Sequence, residues 1–183
     1  MKKIRCAIAG LGRIGSILED DTKREKPASH AGAVINDPDC ILLTGADPDA
    51  EKRDSFRKRW NCQDIFEDAE AMLEKIEPDI FHIAAPPSEH FNLLKLGLDK
   101  EIPVIICEKP LSEDIAEAEK MYKMSIGTKS KILINHERRY ALNYKRVKDI
   151  IENKGFGKLL SVTGKLYMGQ HRKIKNMLFD DGT

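Results

Sequence analysis

The chain has 183 residues, which is enough for one complete hydrophobic core and the start of a second. Its 31 basic and 30 acidic side chains nearly cancel, so a net charge of +1 provides no strong field for nucleic acid or an anionic membrane. The apolar run after Met1-Lys2-Lys3 is too short for a signal peptide or a membrane span. The sequence therefore favours a cytoplasmic protein with a small ligand.

The cysteines and histidines do not form a metal-binding pattern. The four cysteines, Cys6, Cys40, Cys62 and Cys107, lie far apart and contain no Cys-x-x-Cys pair. No histidine stands at metal-ligand spacing from another histidine or cysteine. We therefore predict free thiols in a reducing compartment and no metal.

Short apolar runs and amphipathic segments alternate along the first part of the chain. The predicted strands cover residues 4–9, 41–46, 65–66, 80–84, 104–107 and 132–134. The predicted helices cover 49–60, 68–76, 88–98 with Ser88 as its cap, and 112–126 with Ser112 as its cap. This alternation predicts an α/β domain over residues 1–134, with a doubly wound parallel sheet.

The segment after the first strand departs from simple alternation. Ile14, Ile17 and Leu18 keep helical spacing, so a helix is predicted directly after a glycine-rich turn. Residues 19–29 then become polar and charged, which indicates a surface insertion before Ser29 caps a short helix through Val34.

Residues 135–183 have a different character and indicate the beginning of a second, α+β domain. An amphipathic helix is predicted over residues 141–153, ending at Gly155. Apolar and polar residues then alternate over 160–168, which is typical of a strand in a sheet with one wet face. One helix and one strand cannot bury an apolar face alone, so we expect the chain to be part of a longer protein.

The glycines Gly10, Gly12 and Gly15 form a G-x-G-x-x-G motif at the end of the first strand. The first allows a tight turn, the second admits a pyrophosphate to the backbone, and the third allows close packing of helix and strand. Free N–H groups at the following helix start would then bind phosphates. A merely flexible turn is the alternative, but the context favours a Rossmann dinucleotide site.

Asp47 follows the second strand, where a carboxylate can accept hydrogen bonds from the adenosine ribose and repel a 2′-phosphate. This position favours NAD over NADP. Its distance from Gly15 exceeds the usual spacing of about twenty residues, and the insertion accounts for the excess. Asp47 could instead only start a turn and cap a helix, and the nearby Lys52 and Arg53 leave room for NADP.

Two further loops lie at the carboxyl ends of predicted strands, where open α/β sheets bind ligands. The first covers residues 84–88, with His90 as either an exposed neighbour of the helix cap or a crevice residue. The second covers 107–110, where the cation of Lys109 could stabilise a developing alkoxide. A solvated lysine paired with Glu108 is the alternative.

Together these motifs resemble the Gfo/Idh/MocA family, the glucose–fructose oxidoreductase and inositol dehydrogenase group. The matching segments are residues 9–15, 46–48, 85–87 with His90, the Glu-Lys-Pro triplet at 108–110, and 138–140 at the domain crossover. The resemblance implies a cofactor site formed by Gly10, Gly12, Arg13, Ile14, Gly15, Asp47, Ala85, Pro86, His90, Glu108, Lys109 and Arg139. It also implies that Lys109 lies beside the nicotinamide and the substrate hydroxyl.

The same resemblance extends into the second domain. Asp180-Asp181-Gly182-Thr183 is similar to the beginning of an Asp-x-Gly-x-His motif whose aspartate and histidine help to bind substrate and move a proton. Asp180 matches the aspartate and is therefore a second catalytic candidate, and the histidine would follow Thr183. The resemblance further implies a homo-oligomer formed through the second domain.

Three functions remain open from the sequence. The first is an NAD-dependent oxidoreductase acting on a carbinol of a sugar, inositol or related polyol. The second is a dinucleotide-binding module without catalysis, such as a sensor or regulator. The third is a Rossmann domain for another nucleotide or S-adenosylmethionine, against which the Glu108-Lys109-Pro110 triplet argues.

Overall fold

The computed structural model describes residues 2–153 and 156–165. It divides the chain into two structural units, Met1–Asn135 and His136–Thr183. In the first unit the strands are β1 (Ile4–Ala9), β2 (Cys40–Ala46), β3 (Ile65–Phe66), β4 (Ile80–Ile83), β5 (Val104–Cys107) and β6 (Lys131–Ile134). Its helices are α1 (His30–Asn36), α2 (Ala50–Trp60), α3 (Ala69–Lys75), α4 (Pro87–Asp99) and α5 (Ile115–Ser125).

All six strands pair in parallel, in the order β3-β2-β1-β4-β5-β6. The predicted doubly wound sheet is therefore confirmed. The strand order reverses direction between β1 and β4, so the loops after these two strands border the crevice where such sheets bind ligands.

Helices cover the sheet on both faces because each face of the strands is apolar. On one face α3, α4 and α5 pack over a core that includes Phe81 and Ile105. On the other, α1 and α2 pack over a core that includes Ile8 and Phe56. Burial on both faces explains the nearly continuous apolar runs of the strands.

The helix predicted directly after the glycine-rich turn is absent. Residues Ile17–Asp20 form a single 3₁₀ turn, and α1 begins only at His30. The N–H of His30 donates to the carbonyl of Ile14 at 2.9 Å, and that of Ala31 donates to Gly15 at 3.0 Å. The helical bonding pattern thus resumes after the polar insertion, which interrupts the helix instead of following it.

Two predicted helix caps are wrong, although the helices themselves exist. Helix α4 begins at Pro87, a residue that lacks an N–H and suits the first helical position, so Ser88 does not cap it. Helix α5 is capped by Asp114, which accepts from Glu117 N at 2.8 Å. Ser112 lies outside this helix and accepts a bond from the N–H of Asp114.

The second unit contains helix α6 (Leu142–Glu152) after a 3₁₀ turn at Glu137–Tyr140. The strand predicted over 160–168 is not formed in its described part, residues 160–165, where strand pairing would require a neighbouring strand. Residues 166–168 and Gly155 lie outside the described residues. No helix within the described ranges is long and apolar enough to cross a membrane.

Candidate functional site

The three glycines of the turn have different surroundings. A Cβ on Gly10, whose φ is +92°, would lie 2.5 Å from the carbonyl carbon of Ala84, so the turn packs directly against the loop after β4. A Cβ on Gly15 would lie only 2.0 Å from the carbonyl oxygen of Gly10. A Cβ on Gly12 would meet no protein atom within 4 Å. The turn is therefore closed by Gly10 and Gly15 and open at Gly12.

Three backbone N–H groups at this open turn lack a hydrogen-bond partner in the described part of the chain. Within the described ranges, the N–H groups of Gly12, Arg13 and Ile14 have no hydrogen-bond acceptor in the protein. Arg13 is exposed, and Gly12 and Ile14 are half-buried, so these donors border the surface of the crevice. Adjacent unpaired N–H groups without an obstructing side chain form an anion site of the kind that suits a pyrophosphate.

Asp47 connects the end of β2 to the glycine-rich turn. One carboxylate oxygen accepts from the N–H of Leu11 at 2.9 Å, and the other accepts from the N–H of Asp49 at 3.0 Å. Asp49, not Asp47, caps α2. The Lys52 ammonium lies 3.7 Å from Asp47, and the Arg53 guanidinium donates to the Asp47 carbonyl at 2.8 Å. Asp47 thus lies beside the turn with two cations near it.

His90 is buried and connects the two loops that follow β4 and β5. Its Nε2 lies 3.0 Å from the carbonyl oxygen of Ala85, and its Nδ1 lies 3.0 Å from that of Pro110. Of the two alternatives for this residue, exposure beside a helix cap is therefore wrong. Ala85 is half-buried and Pro86 is exposed beside it, so the loop backbone, not the His90 ring, reaches solvent.

Glu108 and Lys109 are adjacent in sequence but differ in environment. The Glu108 side chain is buried and the Lys109 side chain is exposed. Within the described residues Lys109 makes no ion pair with Glu108, so the alternative of a lysine paired with its neighbour is not supported. Lys109 is thus an exposed residue of the loop after β5, the strand next to β4 at the switch point of the sheet.

A buried cluster around Glu108 has no counterpart in the sequence patterns. One oxygen of Glu108 lies 3.0 Å from Nε2 of His30 and accepts from the Asn135 amide at 2.5 Å. The Nδ1 atoms of His30 and His82 lie 3.0 Å apart. These residues come from α1, β4 and the ends of β5 and β6, so no local sequence pattern indicates their contact. A histidine inside an apolar strand is typically a satisfied core residue, yet Nε2 of His82 has no partner in the described chain.

The cluster shifts the pKa values of two of its members. Burial acts to raise the pKa of Glu108, but hydrogen bonds from His30 and Asn135 outweigh it and hold the pKa below its usual value. Burial, together with repulsion from His30, lowers the pKa of His82 to about 3. Glu108 is therefore a carboxylate and His82 is neutral at neutral pH.

We expect the low pKa of His82 to make folding stability pH-dependent. The unfolded chain takes up a proton on this histidine near the ordinary imidazole pKa of 6.5, whereas the folded chain does so only near 3. The contribution of neutral His82 to the free energy of unfolding is therefore fully present above pH 6.5. It decreases as the pH falls towards 3, by at most about 1.4 kcal/mol per pH unit. When the free energy of unfolding is measured by chemical unfolding at several pH values in this range, it should depend less steeply on pH for His82→Leu than for the wild-type chain. An unchanged slope would contradict the assignment.

Two candidate residues lie outside the first unit. Arg139 is in the 3₁₀ turn of the second unit and is exposed. Asp180 lies outside the described residues. Of the candidate site residues, the first unit therefore contains those from Gly10 to Lys109.

A family model decides what this arrangement belongs to. The Gfo/Idh/MocA model, described as an oxidoreductase family with an NAD-binding Rossmann fold, matches residues 4–136. The chain belongs to this family. The match covers the whole sheet of this Gfo/Idh/MocA chain and ends one residue beyond its first unit.

Two inositol dehydrogenases are among the relatives that match this chain in sequence. Myo-inositol 2-dehydrogenase of Thermotoga maritima is 24% identical over 85% of this chain and 42% of its own length. Inositol 2-dehydrogenase of Corynebacterium glutamicum is 27% identical over 89% of this chain and 45% of its own length. The chain thus spans less than half the length of these relatives.

The fold likeness extends to solved structures. Scyllo-inositol dehydrogenase from Lactobacillus casei, solved with NAD(H) and scyllo-inositol, superposes with a TM-score of 0.74 at 22% identity. The alignment covers 85% of this chain and 43% of that protein. At this identity the likeness shows the fold alone.

Proposed function

We propose that this chain is the cofactor-binding part of an NAD-dependent oxidoreductase that transfers hydride between the cofactor and a carbinol of a sugar, inositol or related polyol. The observation that carries the proposal is the open glycine turn at Gly12, which lies at the same edge of the sheet as the loop that contains Lys109. Named relatives act on inositols, which supports the polyol class. In this proposal residues 135–183 begin the substrate and oligomerisation domain.

Different residues of the crevice would bind different parts of a dinucleotide. The unpaired N–H groups of Gly12, Arg13 and Ile14 would bind the pyrophosphate, because a phosphate needs several convergent donors. Asp47 would accept from the adenosine ribose with the lone pairs that its two backbone bonds leave free. Ala85 and Pro86 would line the site in the loop that packs beside the turn.

NAD(H) fits the end of β2 better than NADP(H). A 2′-phosphate would approach the carboxylate of Asp47, which is fixed by its bond to Leu11 and cannot turn away. Lys52 offsets part of this repulsion, but it is also within 3.6 Å of Asp49. The preference for NAD(H) is therefore a difference in affinity and not complete exclusion.

The reaction itself requires hydride and proton to leave the same carbinol. NAD held by the glycine-rich turn and Asp47 would supply the acceptor for the hydride. The exposed ammonium group of Lys109 would stabilise the alkoxide that develops as the hydroxyl proton is lost. Asp180 and a base would hold the substrate and take the proton, as the resemblance to the family implies, and Arg139 is the further cofactor-binding candidate.

Titration with NADH and NADPH tests the cofactor. The Trp60 indole N–H donates to the Ser16 hydroxyl at 2.8 Å, so the single tryptophan lies beside the residue that follows the turn. We expect saturable energy transfer to NADH and weaker binding of NADPH. If neither nucleotide binds by fluorescence or calorimetry, the proposed function is wrong.

Substitution of Lys109 separates turnover from binding. With NAD and a panel of inositols and sugars, we expect NADH formation by the wild-type protein and a loss of about 10² to 10³ in rate for Lys109→Met. NADH affinity should fall by about tenfold, a much smaller change than the loss in rate, because most of the dinucleotide contacts lie elsewhere. If the full-length wild-type protein binds NADH but oxidises no carbinol, its function is binding alone.

A further inference from the structure

We propose that His30 and Glu108 form a buried link that positions Lys109 relative to the glycine-rich turn and so controls the nicotinamide end of the cofactor site. The inference rests on the proposed function, since it assumes a dinucleotide in the crevice. It assigns positioning roles to two residues whose side chains would not touch the cofactor.

The first half of the link joins His30 to the turn. The backbone N–H of His30 donates to the carbonyl of Ile14, and that of the next residue donates to Gly15. His30 is therefore the residue at which the helical bonding interrupted after Gly15 is resumed. Its ring is 6% exposed and reaches across the sheet to the loop after β5. A displacement of this ring would be transmitted directly to the phosphate-binding turn.

The second half joins Glu108 to Lys109. Oε1 of Glu108 contacts His30 and Asn135, and Oε2 accepts from the backbone N–H of Lys109 at 3.3 Å. The backbone N–H of Glu108 donates to the carbonyl of Ile83 at 2.9 Å. One buried carboxylate thus fixes the backbone of the lysine against α1 and β6 at once, and bonds to an ionised acceptor are about twice as strong as neutral ones.

Each ring nitrogen of His30 has a partner, Glu108 on one side and His82 on the other. Glu108 can only accept, so Nε2 of His30 carries a hydrogen and donates to it. Nδ1 of His30 lies 3.0 Å from Nδ1 of His82, so these two ring nitrogens form a second hydrogen bond of the His30 ring. His82 therefore holds the His30 ring in the orientation that the link needs, and its own Nε2 has no partner in the described ranges.

This geometry predicts a difference between two ligands. ADP-ribose carries the pyrophosphate and adenosine ribose but lacks the nicotinamide ring, so it would use the turn and Asp47 without Lys109. NADH would use both ends of the crevice. A link that positions Lys109 should affect NADH binding much more than ADP-ribose binding, whereas a general loss of structure should weaken both equally.

Glu108→Gln and two His30 variants test the link. A glutamine oxygen can still accept from His30 and Asn135, but its amide group then faces the Lys109 N–H. We expect the NADH dissociation constant to rise about tenfold and the ADP-ribose constant to change less than about twofold. His30→Leu should behave alike, and His30→Gln should restore part of the affinity because its amide can donate to Glu108. The wavelength of maximum fluorescence emission of bound NADH should differ between Glu108→Gln and the wild-type chain.

Asp79→Asn is the matched control, because it also converts a hydrogen-bonded carboxylate into an amide. Asp79 pairs with Arg5 at the amino-terminal ends of β1 and β4, at the opposite end of the strands from the loops. It should change neither dissociation constant. Equal weakening of both ligands in Glu108→Gln and His30→Leu, or no weakening, would overturn the link alone. A wild-type chain that binds neither ligand would overturn the proposed cofactor and the link together.

Discussion

Gly12→Ala should fold as the wild-type chain does and lose dinucleotide binding, whereas Gly15→Ala should fail to fold stably. An added Cβ on Gly12 meets no protein atom, but it enters the space over the unpaired N–H groups that a pyrophosphate needs. We expect about a hundredfold weaker NADH binding, which corresponds to roughly 2.8 kcal/mol. The free energy of unfolding should change by less than about 1 kcal/mol.

Gly15→Ala is the opposite case. Its Cβ would lie 2.0 Å from the carbonyl oxygen of Gly10, a backbone atom that can move only if the turn itself moves. We expect a loss of about 3 kcal/mol or more in the free energy of unfolding. Urea unfolding and NADH titration of both variants check this contrast. Equal stability of the two, or full NADH affinity in Gly12→Ala, would contradict the roles assigned to these glycines.

Asp47→Ala should abolish the preference for NADH over NADPH. The variant removes an acceptor for the ribose, so NADH binding should weaken about tenfold. It also removes the charge that repels a 2′-phosphate and leaves Lys52 without one of its two carboxylate neighbours. NADPH binding should therefore weaken less than NADH binding, or improve. Parallel calorimetric titrations with the two nucleotides measure the ratio.

The same variant should also be less stable, by about 1–3 kcal/mol, since the N–H of Leu11 loses its partner inside the protein. Asp114→Ala is the control, because Asp114 likewise accepts from a backbone N–H but caps α5. It should lose about 1 kcal/mol of stability and keep its nucleotide affinities. A cofactor preference that survives Asp47→Ala would show that Asp47 serves the turn only.

Much of the fold could be predicted because its determinants are local in sequence. The apolar runs at residues 4–9 and 104–107 are short and bounded by polar residues, so each predicts a buried strand wherever it pairs. The interrupted helix could not be predicted, because hydrogen bonds from His30 and Ala31 to the turn span the inserted residues. The Ser88 cap failed because Pro87, one residue earlier, already suits the first helical position.

The sequence by itself determined the family, the glycine-rich turn and the positions of Asp47 and Lys109, because the end of each apolar run shows which residues follow a strand. Only the tertiary structure decided that His90 is buried between two loops and that Glu108 points inward to His30, 78 residues away. A histidine or glutamate carries no local signal of such a partner. Its environment depends on which strands become neighbours, and the order of strands in the sheet is a property of the whole fold.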